Sequence, residues 1–551
     1  MKTLKGYKVN ILSEEDNINI KEILVSNRKI LQKDEEVFFS PSYKDLFDPS
    51  LLNGTGIATE RILKAIENKE RVVVFGDYDV DGVSSTAMLV RFFHEIGIDV
   101  SYRLPHRVTD GYGLKKYFID DLSKNNVKLI VTVDCGTRDI EVVNYSNSLG
   151  IDVIITDHHS VPDIIPENVI ALINPKKLDS TYPNKDLSGS GVAFKLLHAI
   201  SLKIHTLKET EIFLKNYIDF AMLGTVADCM PLIGENRVIA YLGLKQLKNS
   251  KSHGLKRLIE GSDPDNLDGD VVGFKIGPKL NAAGRMDTPY KALKVLLAGE
   301  NNLDEALEEI ENLNAKRKIS TEKFALEAYK NIDNSKNVLF FESDNIEHGI
   351  IGLIAGRLCE AFNKIAIVFK NDGEKLVGSA RGPNHTSIVE IFEQMPELFE
   401  VFGGHKQAAG FTITKNNLDK LKEKLENTVT EIVKDIDIQR IINIESEIEL
   451  NNVSFDTIKL IESFRPFGFG NNKPLFIIKD IIFDRIEYLG KDKKHLKFFI
   501  NGKNIEFKAF GLGEHYELLN KKDSIGIIFE IEKNVWNSRE TLSLNIKDFL
   551  A

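Results

Sequence analysis

Cysteine is scarce: three in 551 residues, at positions 135, 229 and 359. They lie too far apart in sequence for a disulfide framework, and none of the spacings is that of a zinc ribbon. A reduced, intracellular, cytoplasmic protein is expected. Long apolar runs are missing as well. Nothing approaches the ~18 residues of a membrane helix, so no membrane contact is expected. The opening "MKTLKGYKVN" has no apolar core of the kind a secretory signal carries. Basic charge is not in excess: 72 Lys and Arg stand against 82 Asp and Glu, for a net charge of −10. Nucleic-acid surfaces are usually basic, so this balance alone argues against one. It does not forbid a local basic groove, and bound metal would neutralise part of the acid. The remainder is ordinary for a folded chain, with 42% hydrophobic and 28% charged residues. The length exceeds one core, so about three or four domains are expected.

Against that background one stretch stands out. "VVVFGDYDVDG" runs from Val72 to Gly82 and sets Asp77, Asp79 and Asp81 within five positions. Such carboxylates repel, so something must hold them together. "RVVVF" is short and β-branched and stops at Gly76, which reads as a buried strand. Helical periodicity follows in "VSSTAMLVRFFHEIG". The pattern recurs in "KLIVTVDCGT", ending in Asp134, and in "DVIITDHHS", ending in Asp157, His158 and His159. Between these two, "DIEVVNYSNSLG" reads as a helix closed by Gly150, and "VIALINPK" reads as a further strand. Alternating strands and helices imply an α/β fold with a parallel sheet. Ligands bind beyond the carboxyl ends of such strands. Three successive ends here carry Asp or His. A cation is the expected partner, and Asp with His and no thiolate cluster favours Mn²⁺ or Mg²⁺. A calcium-type loop and a solvated acidic turn are the alternatives. An EF-hand needs a longer loop and a preceding helix, whereas a strand precedes here.

Ordered motifs then carry a resemblance. "DYDVDG", "VDCG" and "TDHH" are followed by "GTVADCMPL" (Gly224–Leu232) and "FKIGPKLNAAGRMD" (Phe274–Asp287). Next come "HGIIGLIAGRL" (His348–Leu358), "GSARG" (Gly378–Gly382) and "FGGHKQAAGF" (Phe402–Phe411). "RPFGFGNNKPLF" (Arg465–Phe476) and "WNSRETLSL" (Trp536–Leu544) close the series. From about residue 40 onward, the set resembles the RecJ-type single-stranded-DNA exonucleases of the DHH phosphoesterase superfamily. The resemblance implies two Mn²⁺ ions, with Mg²⁺ as the substitute. It puts Asp77 and Asp134 on one ion, and Asp79, Asp134, His158 and Asp228 on the other, with Asp134 bridging. His159 matches the substrate-facing histidine, while Asp81 and Asp157 would orient ligands and histidines. Cys135 and Cys229 are expected to be buried spectators. Two cations about 4 Å apart can activate water, clamp a phosphodiester and stabilise the leaving oxygen, so no Ser or Cys nucleophile is required.

The rest of the chain supplies candidate grips on the strand. Residues 302 to 332 read as a long charged helix, either a spacer between lobes or a helix packed on one of them. "LVGSARG" reads as a strand ending in Ser379 and Arg381, and Gly403, Gly404 and His405 allow backbone amides to approach an anion. Arg285 and Arg357 are further candidates because Arg forks suit phosphate oxygens. Arg107 and Tyr112, in "LPHRVTDGYGL", are candidates to touch a strand end. From about residue 435, short alternating β runs indicate a small barrel or sandwich. There Lys493, Lys494, His495, Lys497 and Phe498 mix basic and aromatic groups. The alternative is a solvated strand face over core phenylalanines.

The expected division is a parallel-sheet DHH domain with the N-terminal segment (1–287), a helical linker (288–334), a smaller α/β DHHA1-like domain (335–434) and a β-barrel OB-fold (435–551). The resemblance implies a monomeric exonuclease acting 5′ to 3′ on single-stranded DNA in repair and recombination, beside a single-strand-binding protein and a helicase. A DHH enzyme for short oligonucleotides and a silent single-strand-binding scaffold remain as other readings. The large C-terminal β region speaks against the first, and the intact Asp and His set against the second.

Overall fold

A computed structural model describes residues 1–14, 19–264, 266–434, 438–536 and 539–551. The expected boundary at 435 and positions 537 and 538 of the last motif lie outside the described residues. The chain divides into two compact units: Ser42–Ile438, and Met1–Pro41 with Gln439–Ala551. No described helix is long and apolar enough to cross a membrane.

The larger unit opens on a parallel sheet of five strands. They are β1 (Arg71–Gly76), β2 (Asp99–Arg103), β3 (Val127–Val133), β4 (Asp152–Thr156) and β5 (Ala171–Ile173). Their order is β2-β1-β3-β4-β5, with every neighbour parallel. The continuous apolar runs follow from burial on both faces. Val72 and Val74 enter one core with Leu129, Val131 and Ile154. Val73 and Phe75 enter the other with Ile130, Val153 and Ile155. From β1 the chain steps one way to β2 and then crosses to β3 on the other side. That reversal opens a crevice at the carboxyl ends of β1 and β3.

Six helices matter to the site. α1 (Val80–Glu95) follows β1, and α2 (Gly189–Ile204) and α3 (Leu207–Ala227) pack against it. α4 (Gly277–Met286) leads toward α5 (Leu303–Asn331), the expected long helix. α5 packs on α4 before the join and on α6 (Ile351–Phe362) after it, so it connects the lobes while packing on both. The second lobe is a mixed sheet of β6 (Val338–Ser343), β7 (Ile365–Asp372), β8 (Lys375–Arg381), β9 (Val401–His405) and β10 (Ala408–Thr414). The order is β9-β10-β8-β7-β6; β6 and β7 run parallel and the other pairs antiparallel.

The smaller unit is one sheet of eight strands. Its order is Lys8–Ser13, Ile441–Glu447, Phe476–Ile481, Ile525–Trp536, Arg539–Phe549, Ile505–Ala509, His495–Phe499 and Arg485–Leu489. Residues 1–40, grouped by sequence with the first domain, therefore belong with the C-terminal strands. Lys8–Ser13 pairs parallel with Ile441–Glu447, and its Val9 and Ile11 pack on Ile444, Ile477 and Ile528. Arg28 pairs with Glu445 at 3.0 Å and donates to Asn471 at 2.9 Å. Phe498 is a core residue, as the blander reading held, while Lys494 pairs with Asp492 at 3.6 Å.

Candidate active site

The acidic loop after β1 is built by a helix cap. Asp79 is the N-cap of α1, its carboxylate accepting from the amides of Asp81 at 2.9 Å and Gly82 at 3.2 Å. A side chain at Gly82 would lie 2.6 Å from the Asp77 backbone, so glycine lets the loop fold onto its own start. Asp81 turns inward and receives Gly189 N at 2.6 Å and Ser190 N at 2.8 Å, at the start of α2. The favourable end of that helix dipole offsets part of its burial. Asp81 is thus held by the start of α2 while its carboxylate also gathers with His158 and Asp228.

Asp134 ends β3 at φ +61°, a left-handed conformation that is uncommon outside glycine. It turns the carboxylate into the crevice, where Asp77, Asp79 and Asp134 gather within 4.8 Å of one another. Asp134 also gathers with His158 and His159, and His158 gathers with Asp81 and Asp228. Asp134 and His158 are therefore each shared between two groups. His158 Nε2 lies 3.1 Å from Asp134 and 3.5 Å from Asp228, which caps the C-terminus of α3. Geometry puts Asp79 beside Asp77 and Asp134, where the sequence reading had grouped it with Asp134, His158 and Asp228.

The electrostatics of the cluster are those of crowded, buried carboxylates. Burial first, then the charges of Asp81, Asp79, Asp77 and Asp228, push Asp134 far above the usual carboxylate range. Burial and Asp79 do the same to Asp77. Burial, Asp81 and Asp79 lift Asp228 to about 8, while burial and Asp79 lift Asp81 to about 6. Burial, with the charge of His159, lowers His158 to about 3, so it is neutral and free to act as a ligand. Asp77 Oδ1 and Asp134 Oδ1 are buried without a hydrogen-bond partner. Metal cations fit this donor set: they replace the protons that the carboxylates would otherwise hold.

Asp157 does not join the cluster. It accepts from Thr137 N at 3.0 Å, His158 N at 2.8 Å and His159 N at 3.1 Å. Its Oδ1 also faces His159 Nδ1 at 2.8 Å. Burial raises this carboxyl, but the His159 hydrogen bond and charge outweigh it and hold the group well below the usual range. Tyr112 was expected at a strand end. It lines the cavity, but its hydroxyl donates to the Asp134 carbonyl at 3.1 Å and meets His159 Nδ1 at 3.0 Å.

A cavity of about 700 Å³ opens beside the cluster, bounded by both lobes. Of the predicted substrate residues, Arg107, Tyr112, Arg285, Ser379, Arg381, Gly403, Gly404 and His405 line it. Arg107 lies over the Tyr78 ring at 4.1 Å, and Arg285 donates to the Gly349 carbonyl at 3.1 Å. Burial, then Arg107, Arg381 and Arg317, lower Arg285 to about 9. Like charges held together this way suit an anion. Gly404 sits at φ +153°, and a side chain there would strike the Ala408 carbonyl. His405 stacks on His159 at 5.8 Å. Two expectations fail. Arg357 is not a wall residue; it points to solvent and pairs with Glu322 at 2.7 Å. Cys135 is buried as expected, but Cys229 is exposed, carried outward by the turn at φ +55° that ends α3. Sequence reasoning missed Tyr78, Arg138 and His348 on the cavity wall. Tyr78 and His348 lay inside quoted motifs, whereas Arg138 showed only as a charge four positions after Asp134.

Three family models match the chain: the DHH family, N-terminal domain, over 71–225; the DHHA1 domain over 335–431; and the RecJ OB domain over 444–548. The single-stranded-DNA-specific exonuclease RecJ of Bacillus subtilis (strain 168) is 30% identical over 553 residues, across 98% of this chain and 69% of that protein. This chain belongs to the RecJ family. The crystal structure of RecJ from Thermus thermophilus, in complex with Mn²⁺, shares the fold: TM-score 0.82 at 24% identity, over 99% of this chain and 79% of that one. A second solved RecJ exonuclease, bound to manganese, is 29% identical with a TM-score of 0.62, over 70% of this chain and 98% of its own. Within the RecJ framework, the DHH match spans the sheet bearing Asp77, Asp79, Asp134, His158 and His159. Asp228 lies just beyond it.

Proposed function

We propose that the protein is a metal-dependent exonuclease that hydrolyses phosphodiester bonds of single-stranded DNA. One observation carries this reading: a buried Asp and His cluster at a sheet switch point adjoins a cavity walled by three mutually repelling arginines. Asp77, Asp79, Asp134, His158 and Asp228 are the residues that would hold two Mn²⁺ or Mg²⁺ ions, with Asp134 shared. Bound there, the ions supply Lewis acidity toward the phosphodiester and make water a competent nucleophile near neutral pH. The chain's own groups do the rest. Asp81, fixed by the start of α2, and Asp157, fixed by three amides, hold the loops rigid. With Nδ1 engaged by Asp157, His159 keeps Nε2 for the substrate. Arg107, Arg285 and Arg381 bind phosphate oxygens, and the amides of Gly403 and Gly404 approach closely.

In this reading residues 42–287 perform the hydrolysis, 288–334 space the lobes, 335–434 grip phosphate, and 435–551 together with 1–41 bind the strand. The finer assignment is 5′ to 3′ cleavage by a cytoplasmic monomer in repair and recombination. A helicase would supply the single strand that a single-strand-binding protein covers. The names of the relatives support the substrate. The test uses single strands labelled at either end, DNA and RNA, with Mn²⁺ or Mg²⁺. Stepwise release of mononucleotides from one end of DNA is expected. Internal cuts alone, or cleavage confined to dinucleotides, would reject it in favour of another DHH activity.

A further inference from the structure

The three wall arginines do not account for all the positive charge around the cluster. A second group lies on the other loops. Arg138 lines the cavity, four residues after Asp134. Its guanidinium donates to the Ser160 carbonyl at 3.5 Å. Lys176 follows β5, on the loop beside Asn174. Among the described residues neither side chain has an ion pair, although the chain carries 82 acidic residues. Both are carried by a braced scaffold. Thr137, next to Arg138, donates its amide to Asp157 at 3.0 Å. The buried Asn174 donates to Thr137 Oγ1 at 3.2 Å and to the His159 carbonyl at 3.0 Å, while its Oδ1 receives the Lys176 amide at 2.9 Å. One asparagine therefore ties the Arg138 loop, the His159 loop and the Lys176 loop together. His405, stacked on His159, completes the group. Arg138, His159 and His405 line the same cavity.

Cations kept unpaired on rigid loops beside a polyanion site are suited to an anion that arrives from outside. The arginines 107, 285 and 381 form one such subsite. We propose that Arg138 and Lys176 form a second phosphate subsite, which holds a backbone phosphate of the strand adjacent to the scissile one. The proposal rests on the exonuclease reading and deepens it. Phosphodiesters held at two points fix the scissile phosphate in register, which a single anchor leaves free to swing. Small diesters that carry one phosphate cannot use the second subsite.

The test compares wild type with Arg138→Gln, Lys176→Gln, the double variant and Arg138→Lys. Strand binding is read by fluorescence anisotropy with a labelled 30-mer in EDTA, across a salt series. Hydrolysis is read as kcat/KM for the 30-mer and for bis(p-nitrophenyl) phosphate with Mn²⁺. The double variant is expected to lower the ratio of strand to small-diester kcat/KM at least tenfold, with Arg138→Lys recovering part. The salt dependence of binding should flatten by about 0.7 in log–log slope for each phosphate of a single strand that the variant no longer neutralises. The Mn²⁺-induced rise in melting temperature should match wild type, which shows an intact ligand cluster. Equal losses on both substrates, or an unchanged salt slope, overturn the proposal. If wild type binds the 30-mer without cutting it, the exonuclease reading falls, and the binding arm still decides the subsite.

Discussion

Arg285 offers a sharp contrast between stability and function. It sits on the cavity wall, partly exposed into the cavity, with Arg107 and Arg381 close by. At about 1.4 kcal/mol per pH unit, lowering this guanidinium from 12.5 to about 9 costs the folded state at most ~5 kcal/mol. Water within the cavity screens part of that, leaving about 2–3 kcal/mol. Arg285→Met removes the charge and roughly keeps the volume. It also forfeits the hydrogen bond to the Gly349 carbonyl, worth about 1.5 kcal/mol with a charged donor. The free protein should gain about 0.5–1.5 kcal/mol, a rise of roughly 1–2 °C in Tm for a large domain. Catalysis should move the other way. One or two charge-assisted bonds to phosphate, at about 1.5–3 kcal/mol each, correspond to a loss of roughly 10- to 1,000-fold in kcat/KM. Calorimetry of the metal-free protein and steady-state cleavage of a 30-mer read both effects. A lowered Tm with kcat/KM within twofold of wild type would refute the argument, because Arg285 would then be structural.

Three further outcomes follow from the same geometry. Asp134→Ala should leave less than a few per cent of turnover while raising the Tm of the metal-free protein, since it removes a buried carboxylate that its neighbours repel; cleavage assays and calorimetry check this. Metal-free stability should fall between pH 6.5 and 8.5. Asp77, Asp134 and Asp228 are raised in the folded state, so the stability they confer as protonated groups is lost as pH climbs through their folded values, with Asp228 near 8. His158, lowered to about 3, acts in the opposite sense only below about 6.5, its ordinary value. Saturating Mn²⁺ should remove the decline, and thermal melts across that range read both conditions. Arg28→Ala should destabilise the smaller unit by about 3–5 kcal/mol by stranding the mostly buried Glu445, as measured by urea unfolding.

The parallel sheet and its ligands were legible because both rest on local rules. Strands buried on both faces read as unbroken β-branched runs, and a strand end bearing Asp or His announces itself. Asp134 gathers with Asp77 in one group and with His158 in another, because parallel topology puts such strand ends on one edge. What stayed hidden depends on partners distant in sequence. Nothing in "KVNILS" says that it pairs with Ile441–Glu447 across more than 400 residues. Arg357 looked like Arg285 in its motif, but helical phase turned one outward to Glu322 and the other into the cavity. Tyr112 looked like a substrate contact, and only the fold shows its hydroxyl joined to Asp134 and His159. Cys229 follows a ligand just as Cys135 does, yet a left-handed turn at a helix end exposes it.

The most direct test of the central claim is release of mononucleotides from an end-labelled single-stranded 30-mer after exhaustive chelation and stepwise return of Mn²⁺, with Asp134→Ala in parallel. The account predicts no cleavage by the chelated protein, restoration by Mn²⁺ well beyond that by Ca²⁺, mononucleotide products from one end, and no restoration of the variant. Full activity after chelation, or an Asp134→Ala protein that Mn²⁺ restores, would contradict it.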